Sequence, residues 1–336
     1  MRWAGLMFAV LLVSCTQSPQ PSPSTSGAAS PSPTSSLKPI DTVGFSCRLP
    51  VSTIGPTGTM TGGFVGFPSG NFTADPEGMF TRDQSTGTFR WLSNRQPQLI
   101  GSVPLLFYDR PMSRWLPTNS AAVYPDGIRY AYITGVDYVT GLHQTVHIVD
   151  VSTGSERVFA APHPFGAGIF AYTKEGIYLA GVGEASDPGV WLLDPQKGSE
   201  RLVTSAVVVL AVGNGKAWLG QLTSSKFGSA IDTLVELDLG SGSKKVWVHR
   251  KKPNVNLIGL TSDWLPVVEI TGEGVSLFRS PGVGERIYSG DHWLHSVGSD
   301  AHGIWFESYD GIYLYSRALG FHRVSGVLGS PTGPCV

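Results

Sequence analysis

Three short stretches decide how this chain is built: Asp150-Val151-Ser152-Thr153-Gly154, Asp194-Pro195-Gln196-Lys197-Gly198 and Asp238-Leu239-Gly240-Ser241-Gly242. Each follows an apolar run, and the three Asp residues stand at equal steps of 44. Three residues beyond each Gly comes a base (Arg157, Arg201, Lys245), then another apolar pair. Asp and Gly at the ends of a five-residue stretch between two apolar runs read as a hairpin turn. Self-similarity at about 40–45 residues marks radial repetition of one small sheet. The expected fold is all-β, a β-propeller in which each anchor is a hairpin between two strands of one blade.

Composition agrees. The chain has 42 Gly and 24 Pro in 336 residues and only 15% charged residues. Short apolar runs bounded by Gly, Pro, Asp and Ser recur, and no segment keeps a 3.6-residue apolar period. A formal net charge of −1 leaves no electrostatic footprint for nucleic acid.

Extending the repeat gives six anchors, Asp109, Asp150, Asp194, Asp238, Ser280 and Ser316, and hence six blades. Phe80 to Leu92, around Asp83 and Gly87, fits the same pattern but sits too close to Asp109 for a four-stranded blade. It reads as a hairpin inserted in the first blade. The alternative is seven blades, one of them truncated.

Two stretches carry a family likeness. Val123-Tyr124-Pro125-Asp126-Gly127-Ile128-Arg129-Tyr130-Ala131-Tyr132 is similar to the Ser-Pro-Asp-Gly repeat of TolB-like and WD40-like bacterial propellers, with Tyr124 in place of the Ser. Ser299-Asp300-Ala301-His302-Gly303-Ile304-Trp305-Phe306, with Asp310 to Tyr315, resembles the repeat of periplasmic sensor propellers. Each likeness covers about one blade and implies fold, not function.

The beginning of the chain reads differently. Arg2 precedes the apolar run Ala4 to Val13, which is too short to span a bilayer. It ends in Leu12-Val13-Ser14-Cys15, which resembles a bacterial lipobox. The resemblance implies a signal segment over 1–14, a lipidated Cys15 and an extracytoplasmic protein anchored to the membrane. Residues 15–40, rich in Ser, Pro, Thr and Gly, cannot bury apolar area and read as a tether. The propeller domain is then 41–336. Its two cysteines, Cys47 and Cys335, stand at its ends. Ring closure brings those ends together, and an oxidising compartment permits a bridge, so a disulfide is expected.

Chemistry is harder to find. There is no Gly-x-Ser-x-Gly nucleophile elbow. The densest histidine cluster is Asp291-His292-Trp293-Leu294-His295. Strand residues three apart point to opposite faces, so His292 and His295 make no ready pair. The recurring Asp residues occupy turns, where a carboxylate caps its own backbone. No catalytic residue, metal or cofactor is expected. Trp218 and Trp264 lie outside the hairpins and are the candidates for an aromatic floor beneath a ligand. The expected function is a non-catalytic binding or scaffold module, monomeric and surface-tethered, presenting a propeller face to a protein, peptide or glycan. The alternatives are an extracytoplasmic hydrolase or lyase with a site in the central funnel, and a sensor domain for a membrane partner.

Overall fold

The computed structural model describes residues 39–55, 59–82, 89–91, 106–134, 145–160, 168–180, 189–205, 208–222, 230–251, 254–290 and 293–336. The expected signal segment, Cys15 and the tether up to residue 38 lie outside them, as do His143, His163 and His292.

The described residues form a six-bladed β-propeller of antiparallel sheets. Blade 1 contains β1 (Cys47–Ile54), β2 (Met60–Phe67), β3 (Asn71–Arg82) and β4 (Phe89–Trp91). A two-stranded hairpin follows, β5 (Phe107–Asp109) and β6 (Arg114–Leu116). Blade 2 is β7 (Arg129–Thr134), β8 (Thr145–Asp150) and β9 (Glu156–Ala160). Its innermost strand is reduced to a single bridge from Val123 to Tyr130. Blade 3 is β10 (Ile169–Tyr172), β11 (Ile177–Ala180), β12 (Val190–Leu193) and β13 (Glu200–Thr204). Blade 4 is β14 (Val208–Gly213), β15 (Lys216–Leu222), β16 (Ile231–Asp238) and β17 (Lys244–His249). Blade 5 is β18 (Val255–Leu260), β19 (Pro266–Ile270), β20 (Gly274–Ser280) and β21 (Val283–Tyr288). Blade 6 is β22 (His295–Asp300), β23 (Gly303–Ser308), β24 (Gly311–Ser316) and β25 (Gly320–Ser325). The C-terminal β26 (Ser330–Pro331) pairs with β1 and closes the ring from inside blade 1.

The Asp turns form as their residues require. Asp150 Oδ1 accepts the backbone N–H groups of Ser152 and Thr153 at 2.9 Å each. Asp194 does the same for Gln196 and Lys197, and Asp238 for Gly240 and Ser241. The closing residue donates its N–H to the Asp carbonyl in all three: Gly154, Gly198 and Gly242. This geometry needs a left-handed residue, and their φ values are 70°, 69° and 72°. Gly198→Val and Gly242→Val are each expected to cost about 1–3 kcal/mol. Gly198→Val is the worse of the two. A Cβ at 198 would stand 2.5 Å from Phe159 Cδ1 of blade 2, whereas one at 242 meets nothing within 4 Å. Equal melting temperatures for the two variants would contradict this.

One anchor is corrected. The sequence reading puts the first blade's hairpin at Asp109 and inserts Phe80 to Leu92 into it. In the structure β3 and β4 extend blade 1 itself, while the Asp109 hairpin stands apart. Trp115 of that hairpin packs with Met60, Phe64 and Phe80 of blade 1. Leu116 packs with Tyr130 and Val149 of blade 2. The seven-blade alternative amounts to counting this hairpin as a blade. Blade 1 has its own turn at Gly66 to Gly70, with Gly70 N–H donating to Gly66 O and Gly70 at φ 70°. It carries no Asp, so a search keyed on Asp passes over it.

The core lies between blades. Every residue of β11 is buried, because both faces of an inner strand meet a neighbouring sheet. The outermost β9 keeps four exposed residues and one of intermediate exposure. At the closing seam Trp305, Ile312, Leu314 and Val324 of blade 6 meet Leu49, Val51, Val65 and Phe67 of blade 1. The expected bridge is present: Cys47 and Cys335 are bonded, with Cα atoms 5.7 Å apart. Among the described residues no helix is long and apolar enough to cross a membrane.

Candidate functional site

The two expected aromatic candidates sit in packing positions. Trp218 is 0% exposed and meets Trp247 edge-on at 5.1 Å. It presents no face to a ligand, because it lies on an inner strand of blade 4 and packs against blade 5. Trp264 is half-buried, and its ring covers Gly213 of blade 4, where an added Cβ would stand 2.1 Å from Cζ2. Both belong to the seam between blades 4 and 5, and neither lines the cavity described next.

That cavity, about 450 Å³, opens on the inner side of blades 6, 1 and 2. Its walls come from β22, β23 and β26 and from the segments at 106–107 and 119–120. Two titratable side chains line it, His295 and Glu307, and no Lys or Arg does. The pair is placed by register: His295 on β22 lies directly opposite Glu307 on β23. Directly opposed antiparallel residues share a face, with their Cβ atoms about 4.5–5.5 Å apart. The Ser330 hydroxyl of β26 donates to Glu307 Oε2.

The protein around them displaces both groups toward their uncharged forms, although His295 keeps an exposed side and Glu307 is half-buried. Desolvation lowers the His295 imidazole from its ordinary value and raises the Glu307 carboxyl, since it disfavours whichever form is charged. The signs differ for stability. Unfolded Glu307 ionises near 4.5, while the folded state keeps its proton to higher pH. Its contribution is therefore full below 4.5 and is lost as pH rises through the folded value. His295 works the other way, since the unfolded imidazole binds a proton near 6.5 that the folded one takes up only at lower pH. Stability from that group rises as pH climbs toward 6.5. Glu307→Gln removes the first effect. The variant should lose less stability than the wild type as pH rises above 4.5, measured as Tm from pH 4 to 8. Parallel Tm curves for the two proteins would refute the burial of this carboxyl.

Other polar groups are tied into the fold. Asp150 is held down to about 2, first by the Ser152 hydroxyl and then by the Thr153 N–H, which suits a turn cap and not a proton donor. Asp300 accepts the His302 N–H through Oδ1, and the Trp305 indole and Cys335 N–H through Oδ2. Asp310, Tyr313 and Arg323 are joined in a buried network in blade 6. His147 contacts Glu156, His249 contacts Thr233, and His322 contacts Asp41. A second concavity of about 340 Å³ lies at the seam of blades 2 and 3. Its Arg129 pairs with Asp126 at 2.8 Å, and its Arg157 donates to Gln196. Among the described residues one group has metal-ligand spacing, Cys47, His302 and Cys335. Its two sulfurs are bonded to each other, so they offer no thiolate.

Glu307 has no part in the sequence expectations, and His295 enters them only as a member of the histidine cluster. The available signal was the spacing of Trp293 and His295, two apart and so on one face of an extended chain. Glu307 carries no such local mark.

No protein-family model matches the sequence, and no curated protein sequence does. Solved structures that the chain resembles include a nidogen/laminin complex, at 8% identity and a TM-score of 0.43, over 86% of this chain and 97% of that one. The β-propeller domain of the trilobed protease from Pyrococcus furiosus is 10% identical with a TM-score of 0.44, over 83% of each chain. TolB from Acinetobacter baumannii is 10% identical with a TM-score of 0.36, over 86% of this chain and 67% of that one. Likenesses this distant transfer no ligand or activity.

Proposed function

We propose that this protein is a non-catalytic binding module, held outside the cytoplasm by a lipidated Cys15, whose ring offers the cavity at His295 and Glu307 to a ligand. The observation that carries the reading is that pair, opposed across β22 and β23 in a cavity of about 450 Å³. Pockets of roughly 300–1,000 Å³ with a few placed polar groups are the usual form of a ligand site. The Cys47–Cys335 bridge supports an oxidising, extracytoplasmic compartment. Residues 15–40 would act as the leash, and Cys15→Ser should release the chain from the membrane fraction.

The test is an array of immobilised peptides and glycans probed with the full chain and with the His295→Ala/Glu307→Gln double variant. Binding by the wild type that the variant loses is the expected result. Binding retained by the variant, or no binding at all, overturns the cavity reading. A second reading, a hydrolase or lyase using the same pair, is favoured by the displacement of both groups toward neutrality, which is common at catalytic sites. Turnover of an ester, glycoside or peptide substrate that Glu307→Gln abolishes would replace the binding reading with this one.

A further inference from the structure

We infer that the ligand of this cavity is a neutral carbohydrate, its ring face laid on the exposed indole of Trp293 and its hydroxyls directed at His295 and Glu307. This rests on the cavity reading above and deepens it. Trp293 is 52% exposed, an unusual position for the largest apolar side chain, whereas Trp115, Trp218 and Trp305 are fully buried. Its ring lies nearly parallel to the His295 imidazole, with centroids 6.2 Å apart and planes 14° from each other. Trp293 does not line the cavity itself; it precedes β22 by two residues, so its indole stands at the edge of the wall that carries the imidazole.

Its backbone is pinned there as well. The Ser308 hydroxyl donates to Trp293 O at 2.7 Å, and Ser308 follows Glu307 in β23. Imidazole and carboxyl are thus held by two adjacent strands, and the indole by the segment just ahead of β22, tied back to β23. A platform this well placed costs a ligand little ordering of the protein.

The chemistry of the lining selects the ligand class. The cavity has no Lys or Arg among its residues, so nothing there would neutralise a phosphate or carboxylate. Its two titratable groups are both shifted toward uncharged forms. Around them stand Ser299, Ser330 and Asn119, neutral groups that both donate and accept hydrogen bonds. A lining that mixes neutral donors and acceptors with the apolar side chains of Leu106, Phe107, Pro331 and Pro334, beside one exposed aromatic face, matches a molecule with C–H faces and hydroxyl edges. A peptide would bring charged ends or side chains, for which the cavity holds no permanent counter-charge.

The test uses the full chain purified in detergent and isothermal titration with linear hexasaccharides of glucose, mannose, xylose and N-acetylglucosamine. A hexapeptide library serves as the comparison. At least one saccharide series should bind at pH 7. Trp293→Ala should weaken it by about tenfold or more, and Trp293→Phe by clearly less, since a smaller ring keeps part of the stacking face. Both variants should melt with the wild type, because the replaced ring is exposed. Saccharide binding that Trp293→Ala leaves intact overturns the inference. Peptide binding without saccharide binding, lost in the His295→Ala/Glu307→Gln variant, also overturns it while leaving the cavity reading in place. No binding of any probe overturns both.

Discussion

Replacing both Cys47 and Cys335 by serine should lower the melting temperature by about 4–8 °C under non-reducing conditions. The bridge closes a loop with a sequence separation of 288 residues. Constraining so long a loop is worth about 5 kcal/mol in the chain-entropy model, and removing a native bridge costs about 2–5 kcal/mol in practice. For a domain of this size each kcal/mol moves Tm by about 2 °C. The upper figure is not reached here because a backbone clasp survives. Arg48 and Val336 exchange N–H to carbonyl bonds in both directions, and Thr332 N–H donates to Pro50 O. β26 stays paired with β1 through Val51↔Pro331 and Ser52↔Ser330. The double variant should therefore still fold, with less stability. Calorimetry that finds its Tm within about 1 °C of the wild type would show that the clasp alone holds the ring.

Trp305→Ala should be the most damaging single substitution at the same seam, costing about 3–5 kcal/mol. Trp305 is 1% exposed and fills the junction of blades 6 and 1. Its ring stacks on Phe67 with centroids 5.5 Å apart and meets Phe45 edge-on at 6.3 Å. Neighbouring blades cannot close over the hole, because β23 and β1 are held by their own ladders. Trp305→Phe keeps most of the ring and loses the indole N–H bond to Asp300, 2.8 Å long. It should cost about 1–2 kcal/mol. Denaturant unfolding should thus rank wild type above Trp305→Phe, and Trp305→Ala lowest. A Phe variant as unstable as the Ala variant would shift the weight from packing to the Asp300 bond. The two predictions are coupled through one atom, since Asp300 Oδ2 accepts both Trp305 Nε1 and Cys335 N. Combining Trp305→Ala with the cysteine replacements should depart from additivity by about 0.5–3 kcal/mol.

The legible parts of this protein share one property: their physics is local. A carboxylate at Asp150 reaches two N–H groups within three residues, and a left-handed glycine follows at 154. Nothing beyond that stretch is needed for the turn to form, and its recurrence at 194 and 238 announces the repeat. The disulfide was legible for a topological reason, since a closed ring brings its two ends together wherever the chain wanders between them. The Asp109 hairpin shows the limit of the method. Its turn is real, with Met112 N–H donating to Asp109 Oδ2 at 3.1 Å. Whether that turn belongs to blade 1 or stands apart depends on which strands pair beside it, and turn chemistry does not carry that information.

Tryptophan roles were likewise decided by position in the ring. Trp218 and Trp293 are the same residue type, each followed directly by a Leu. One lies on an inner strand between two sheets and is fully buried, while the other precedes the inner strand of blade 6 and faces water.

The all-β character, the repeat, the turns that execute it and the bond that closes it are legible along the chain. Each of these follows from contacts a few residues long or from the closure of a ring. The site is a product of packing in three dimensions. His295 meets Glu307 by strand register, Ser330 reaches Glu307 from the closing strand, and segments near residues 106 and 119 complete the walls. A cavity assembled from segments nearly two hundred residues apart has no local signature, because what defines it is convergence in space.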